Sequence, residues 1–170
     1  MEADFPIVYS KFGLEQMKNA GVNCYYVPHA FNPEVFKPGS KEDARKMWGL
    51  PQDAFVVGMV AANKGYPSRK AYPECFAAFS EIRKKHKDAV LFVHTARSPI
   101  GHPNDGIYFG PLIQSLGLEG APIYFTPEYL QAIGAEEDQV ASMYQAMDVL
   151  LNPSYAEGFG LTLIEAQATG

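Results

Sequence analysis

Short, wholly apolar runs alternate along the chain with longer segments whose apolar residues recur at helical spacing. Runs such as residues 54–60 and 89–94 predict strands that are buried on both faces of a sheet. The segments between them, with apolar residues three and four apart, predict helices. We predict strands at residues 5–10, 24–27, 54–60, 89–94, 122–125 and 148–151, and helices at residues 11–20, 40–49, 73–85, 113–118, 138–146 and 162–168.

This alternation predicts an α/β fold, a Rossmann-like, doubly wound parallel sheet that binds ligands beyond the carboxyl ends of its strands. Residues 28–39 contain three prolines and predict an extended linker. We therefore divide the chain into residues 1–39 and a main domain of residues 40–170. Residues 98–111 predict an unusually long loop, which either contributes to the ligand site or is an insertion.

Composition narrows the class of protein. A chain of 170 residues with 47% hydrophobic and 19% charged residues can bury a core and is typical of a globular domain. We expect neither a transmembrane helix nor a signal peptide, because no run of about twenty apolar residues exists and the start is neither basic nor apolar. The net charge of -5 argues against nucleic-acid binding.

The cysteines and histidines indicate no metal site. Cys24 and Cys75 have neither disulfide-framework nor metal spacing, which fits a cytoplasmic location, and the four histidines show no mutual metal spacing. The basic run at residues 83–87 complements the dipole at a helix C-terminus. Peripheral contact with the inner face of a membrane is the alternative explanation for that run.

The most informative segment follows the last predicted strand. Gly158 and Gly160 stand between that strand and a helix start, an arrangement that lets backbone N–H groups and the positive helix end approach an anion. Glu157 and Glu165, separated by seven residues, bracket this corner, and carboxylates accept hydrogen bonds from sugar hydroxyls. A site that suits both phosphate and sugar predicts a nucleotide-sugar ligand.

Three segments resemble one enzyme family. Residues 152–170 resemble the Glu-x7-Glu signature of the family 4 (group 1) retaining glycosyltransferases, which have the two-domain GT-B fold. Residues 27–38 are similar to the interdomain segment of that family. Residues 141–150 are similar to its helix with a tyrosine, here Tyr144, followed by an aspartate, here Asp148, and a buried strand.

The resemblance implies a role for each matching residue. Glu157 would lie beside the donor sugar and diphosphate, and Glu165 would accept hydrogen bonds from the ribose hydroxyls. Lys70, whose spacing to Phe79 is similar to that of the family's diphosphate lysine, would hold the diphosphate. The implied catalytic residues are Glu157, Lys70 and Arg69; the donor-binding residues are Glu165, Gly158, Phe159, Gly160, Leu161 and Thr162; the residues near the nucleotide base are Tyr124 and Phe125.

The chain departs from the family pattern around Lys70. Ala71 follows it where glycine is usual, and Met59 stands where arginine is frequent. Either Arg69 or Lys64 supplies a second charge, and arginine is the better bidentate phosphate partner. Purely structural explanations remain open as well. Glu157 could be an exposed loop carboxylate, Glu165 could lie on the polar face of an amphipathic helix, and Lys70, Arg69 and Lys64 could belong to a solvated loop. Tyr124 and Phe125 could pack in the core.

On this resemblance, we expect transfer of a hexosyl group from a nucleotide-diphosphate sugar to an unknown acceptor (a glycan, a lipid or a small molecule), with retention of anomeric configuration. No cofactor or metal is expected, because cationic side chains and helix N–H groups can neutralise the departing diphosphate. The family continues beyond the position of Gly170 and has an N-terminal acceptor domain. We therefore expect a donor-binding domain that is truncated before its last strands and inactive alone.

Two other functions remain open. One is a sugar epimerase of the same GT-B architecture, and the other is a nucleotide-binding module without catalysis. The strand at residues 54–60 is not followed by Gly-x-Gly-x-x-Gly, which argues against a dinucleotide ligand.

Overall fold

Two parallel sheets organise the chain. A computed structural model describes residues 4–102 and 105–170. The small sheet pairs β1 (Ile7–Val8) with β2 (Tyr25–Tyr26), and α1 (Lys11–Asn19) connects them. The main sheet contains β3 (Phe55–Val60), β4 (Ala89–His94), β5 (Ile123–Phe125) and β6 (Val149–Leu150). The remaining helices are α2 (Lys41–Trp48), α3 (Tyr72–Lys85), α4 (Phe109–Ser115), α5 (Tyr129–Ile133), α6 (Glu137–Ala146) and α7 (Leu161–Thr169).

The strand order of the main sheet creates a binding crevice. Its four parallel strands run in the order β5-β4-β3-β6, so the chain builds outwards from β3 on one side and then returns to β3 on the other. In open parallel sheets, ligands bind at such a reversal, beyond the carboxyl ends of the strands. The crevice is therefore expected between the loops that follow β3 and β6.

Successive residues of the central strands pack into two separate hydrophobic cores, one on each face of the sheet. Val56 and Phe92 face a cluster that includes residues of α2 and α6. Val57 and Leu91 face a second cluster, built with α3 and α4. Because side chains alternate between the two faces of a strand, a strand that is apolar throughout requires helices on both faces. The predicted doubly wound parallel sheet is confirmed.

Most predicted elements are present, and the main error lies in the long loop. The loop was predicted to extend to Pro111 and the next helix to begin at residue 113, but α4 begins at Phe109. The ring of Phe109 is buried against Phe76 and Tyr72, which stabilises the earlier helix start. Pro111 lies in the first turn, where a missing N–H costs no hydrogen bond.

Other differences are small. The five-residue helix α5 was not predicted, and the strands at both ends of the chain are shorter than expected. Five residues lie outside the described ones. They are Met1, Glu2 and Ala3 of the first predicted domain, and Pro103 and Asn104 of the predicted loop. The division at residue 39 stays a prediction. No helix within residues 4–102 and 105–170 combines the length and apolar character needed to span a bilayer.

A carboxylate at the start of β6 fixes α2 to the sheet. Arg45, which is only 4% exposed, places Nη2 2.7 Å from Asp148 Oδ2, and Lys41 Nζ lies 2.8 Å from Oδ1. The Val56 N–H donates to the same carboxylate at 2.7 Å. Partial burial raises the pKa of Asp148, but these hydrogen bonds and the two positive charges outweigh that effect and lower it. The network sets where β6, and the loop after it, begin.

Replacing Asp148 with Asn should destabilise the protein, because it leaves the Arg45 guanidinium buried without its counter-charge. We expect the free energy of unfolding in urea to fall by about 2 kcal/mol or more, since breaking a buried ion pair is strongly destabilising. The matched control is Glu42→Gln, which removes an exposed pair with Lys46 and should change stability by less than about 1 kcal/mol. Equal losses in both variants would contradict this account.

Candidate functional site

Hydrogen bonds join the two loops that follow β3 and β6. β6 pairs directly with β3, so both loops leave the sheet at the same edge. The Tyr155 N–H donates to the Arg69 carbonyl oxygen at 2.9 Å, and the Arg69 guanidinium donates to the Ala156 carbonyl oxygen at 2.6 Å. The cations of the first loop are thereby held beside the carboxylate of the second.

Glu157 forms ion pairs with both cations. Lys70 Nζ lies 2.5 Å from Glu157 Oε1, and Arg69 Nη1 lies 3.2 Å from Oε2. The side chain of Lys70 is 16% exposed and that of Arg69 is 58% exposed, so the lysine forms the more enclosed of the two pairs. The structure therefore brings together the three residues that were predicted to be catalytic.

The environment of Glu157 keeps it ionised. Partial burial raises the pKa of its carboxyl group, but hydrogen bonds from Lys70, Ser154 and Arg69, together with the charge of Lys70, lower it to about 2. Glu157 is therefore negatively charged at physiological pH. It can accept hydrogen bonds from cations or from hydroxyl groups.

The N-terminus of α7 forms one wall of a cavity of about 270 Å³ beside this ion pair. Gly160, the N-cap of α7, has φ +85°, in the left-handed region that glycine adopts without strain. No acidic side chain lies in the first turn of α7 and no side chain caps it, so the helix itself provides no negative charge at its positive end. The cavity is lined by His29, Lys70, Glu157, Phe159, Gly160, Leu161 and Thr162.

His29 is a cavity residue that sequence reasoning missed. It comes from the predicted linker, and its ring stacks on Tyr9 with centroids 4.0 Å apart and lies 5.2 Å from the ring of Phe159. A histidine without metal spacing carried no functional signal in the sequence. Because His29 lies in a segment before the main domain, the sequence did not indicate that it would lie beside the glycine-rich turn.

Glu165 is held by a tyrosine. The Tyr144 hydroxyl donates to Glu165 Oε2 at 3.0 Å. Tyr144 is buried on α6, and both burial and the charge of Glu165 raise the pKa of its hydroxyl, which stays protonated as a donor. Glu165 is half-buried and lies beyond the first turn of α7, outside the lining of the cavity beside Glu157.

Tyr124 and Phe125 are not brought into that cavity. Tyr124 packs against one core cluster and Phe125 against the other, where the Arg97 guanidinium lies 4.9 Å from the centroid of the Phe125 ring. A separate cavity of about 270 Å³ opens next to these strand ends, with Arg97, Glu128 and Gln131 in its wall. The role of Tyr124 and Phe125 at the nucleotide base stays a prediction.

The described residues contain no group of three or more His, Cys, Asp or Glu side chains that could hold a metal ion. The charged groups around the 270 Å³ cavity of Glu157 are instead Lys70, Arg69 and the carboxylate itself. Two adjacent cations and a helix N-terminus form a site suited to a diphosphate.

Comparison with known proteins identifies a family that matches this chain. The family model described as glycosyl transferases group 1 matches residues 54–170. The D-inositol 3-phosphate glycosyltransferase of Stackebrandtia nassauensis is 33% identical over 146 residues, which are 84% of this chain and 31% of that protein. The corresponding enzyme of Mycolicibacterium smegmatis is 27% identical over 99% of this chain and 36% of its own length. The chain thus spans about a third of these curated relatives.

Solved structures show the same fold. Sucrose-phosphate synthase from Thermosynechococcus elongatus matches with a TM-score of 0.75 and 25% identity, over 99% of this chain and 39% of that one. The lipopolysaccharide glycosyltransferase WaaG matches with a TM-score of 0.66 and 20% identity, over 94% and 40%. The predicted Rossmann-like sheet of the GT-B type is confirmed by this likeness and by the parallel strands.

Replacing Lys70 with Gln should raise the pKa of Glu157 from about 2 towards its ordinary value near 4.5, because the nearest cation is removed. Since the folded-state pKa is depressed, the stabilisation from this pair is complete above about pH 4.5 and is lost as the pH falls towards 2. The stability difference between the variant and the wild type should therefore appear above pH 4.5 and shrink below it.

Carboxyl-carbon NMR titration of Glu157 measures this change directly. The control is Lys41→Gln, which removes a cation from Asp148 and should leave the Glu157 titration unchanged. A Glu157 carboxyl group that still titrates near 2 in the Lys70 variant would show that Lys70 does not set its pKa.

Proposed function

Because this chain belongs to the group 1 glycosyl transferases, we propose that it binds the nucleotide-diphosphate sugar from which the whole enzyme transfers a hexosyl group, with retention of anomeric configuration. One observation carries the proposal: Lys70, Glu157 and the N-terminus of α7 line a single cavity at the carboxyl edge of the sheet. The acceptor, whether a glycan, a lipid or a small molecule, would be bound with the help of residues beyond this chain.

The diphosphate would lie between the cations and the helix N-terminus. Lys70 and Arg69 offer charge-assisted hydrogen bonds, and the amides at Leu161 and Thr162 belong to the first turn, where N–H groups lack helical partners. These groups would stabilise the negative charge that develops as the bond to the sugar breaks. We propose that they do so without a metal ion or other cofactor.

Glu157 would exchange partners when the donor binds. Its two carboxylate oxygens accept hydrogen bonds from Lys70 and Arg69. A diphosphate competes with Glu157 for both cations, whereas sugar hydroxyls can donate to the carboxylate oxygens. We therefore assign Glu157 to the orientation of the donor sugar, and its fixed charge disfavours a diphosphate that carries no sugar.

Glu165 would bind the ribose. Its Oε2 atom accepts the hydrogen bond from Tyr144, which fixes the carboxylate, while Oε1 is available to a hydroxyl group. The base would lie near the carboxyl ends of β4 and β5. There Tyr124 and Phe125 already pack into the core, so the side chains available to a base are those of the adjacent cavity, such as Arg97 and Gln131.

Membership in a transferase family favours transfer over epimerisation or simple nucleotide binding. Product analysis of the whole enzyme separates these functions. A new glycosidic bond with the donor's anomeric configuration supports the proposal, and inversion at C2 of the free sugar would indicate an epimerase. A cytoplasmic location and membrane contact through residues 83–87 stay predictions.

Glu165→Ala in the whole enzyme should weaken the binding of its preferred nucleoside diphosphate, UDP or GDP, by about tenfold or more. A hydrogen bond to a charged group contributes about 1.5–3 kcal/mol. Calorimetry measures the affinity, and the control is Gln167→Ala, an exposed position on the same helix. Unchanged affinity in the Glu165 variant would remove the ribose assignment.

Glu157→Gln should have opposite effects on the two nucleotide ligands. The affinity for free nucleoside diphosphate should rise about fivefold, because an opposing charge near 4 Å is worth about 1 kcal/mol in a solvated site. Turnover with the nucleotide-sugar should fall about tenfold or more, since a charged acceptor for the sugar hydroxyls is lost. If the affinity of the Glu157→Gln variant for free nucleoside diphosphate falls instead of rising, Glu157 does not compete with the diphosphate.

A further inference from the structure

His29 lines the cavity of about 270 Å³ beside Glu157, the donor cavity, but has no task in the proposed function. It shares the lining of this cavity with Lys70, Glu157 and the first turn of α7. It comes from a different part of the chain, because it lies in the segment that connects β2 to α2. A ligand in the donor cavity would therefore contact two separate parts of the structure at once.

Two aromatic contacts orient the half-buried ring of His29. The ring stacks on Tyr9 with centroids 4.0 Å apart and an angle of 17° between the planes. The ring of Phe159 lies 5.2 Å away and is tilted by 52°. Phe159 directly precedes Gly160, the N-cap of α7, so the imidazole is held beside the N-terminus of that helix. A stacked imidazole can still donate a hydrogen bond, because its nitrogen atoms lie in the plane of the ring.

The nitrogen atoms of His29 make no hydrogen bond or ion pair within the part of the chain that the structure describes. Glu157, the carboxylate of the same cavity, is bonded to Lys70 and Arg69 instead. A half-buried polar group is costly unless water or a ligand provides a partner. An imidazole carries at least one N–H, so a ligand with acceptor oxygens would supply what His29 lacks.

The position of His29 favours one part of the nucleotide-sugar. Glu157, which we assign to the sugar, lines the donor cavity, whereas Glu165, which we assign to the ribose, lies outside that lining. The group next to the sugar is the distal phosphate, the second one counted from the nucleoside. The other neighbours of His29 in the cavity, Lys70 and the first turn of α7, also favour an anion.

We propose that His29 is a donor-binding residue that donates a hydrogen bond to the distal phosphate of the nucleotide-sugar. This inference rests on the proposed function, because it takes the cavity beside Glu157 as the donor site. The distal phosphate is then bound from two sides, by Lys70 and α7 of the main domain and by a residue from the segment before it. Tyr9 contributes indirectly, since its ring positions the imidazole.

The test uses the full-length enzyme and compares a nucleoside diphosphate with the corresponding monophosphate, which lacks the distal phosphate. UDP and GDP are titrated by calorimetry, and the tighter of the two is paired with its own monophosphate. His29→Phe keeps an aromatic ring in the stack and removes both nitrogen atoms. It should weaken diphosphate binding about tenfold, as expected for one hydrogen bond to a charged group, and change monophosphate binding by less than about twofold.

Tyr9→Phe is the matched control, because it keeps the ring that stacks on His29 and lies outside the lining of the donor cavity. This control should leave both affinities within about twofold of the wild type. Thermal unfolding midpoints within a few degrees of the wild type, together with retained monophosphate binding, show that His29→Phe is folded.

The outcomes separate this inference from the proposed function. If the wild type binds neither UDP nor GDP, the proposed function fails and the role of His29 fails with it. If the wild type binds the diphosphate and His29→Phe binds it equally well, the ring only packs against its neighbours and the His29 inference is overturned alone. It is also overturned if His29→Phe weakens both nucleotides by the same factor, since the change then does not concern the distal phosphate.

Discussion

The contact of Glu157 with Lys70 and Arg69 is the interaction on which the candidate site depends. The two cations belong to the loop after β3 and the carboxylate to the loop after β6, so residues 87 and 88 positions apart meet because their strands are neighbours. Parallel pairing alone does not fix the side chains. The Tyr155 N–H donates to the Arg69 carbonyl oxygen, and the Arg69 guanidinium donates to the Ala156 carbonyl oxygen, so the two loops are held together. The ion pairs then place the charges at the N-terminus of α7.

A second carboxylate, that of Asp148, positions the strand that leads to Glu157. Asp148 lies just before β6 and binds the Val56 amide of β3 together with two cations of α2. It therefore holds the amino end of the strand whose carboxyl end leads to Glu157. Both carboxylates have a depressed pKa for the same reason, since hydrogen bonds and positive charges outweigh the effect of partial burial. The Asp148 carboxylate is bonded to Lys41, Arg45 and the Val56 amide within the fold, whereas the Glu157 carboxylate and Lys70 line a cavity.

Sequence patterns predicted the features that depend on neighbouring residues in the chain. Apolar runs predicted the main strands, and the spacing of glycines and carboxylates predicted a ligand site at Glu157. The resemblance to the glycosyltransferase family, not that spacing, implied that Lys70 and Arg69 belong to the same site. Features that depend on packing between distant residues were missed. Helix α4 begins early because Phe109 packs on rings of α3, and His29 joins the cavity because it stacks on Tyr9 and contacts the tilted ring of Phe159. The role of Tyr124 and Phe125 near the nucleotide base was inferred from their position at the end of a strand. That position does not indicate which side chains pack into the core, and both of these do.

Glu157, in the loop before α7, and Glu165, on α7, are held by different kinds of partner. Glu165 is held by a neutral hydroxyl group that stays protonated, and a diphosphate would not compete for that partner. Glu157 is held by Lys70 and Arg69, the cations assigned to the diphosphate in the proposed function, so donor binding would rearrange its contacts. A fixed acceptor suits the invariant ribose of a nucleotide. An acceptor that exchanges partners suits the sugar, which is present before transfer and absent after it, and its return to the cations would help to release the product diphosphate.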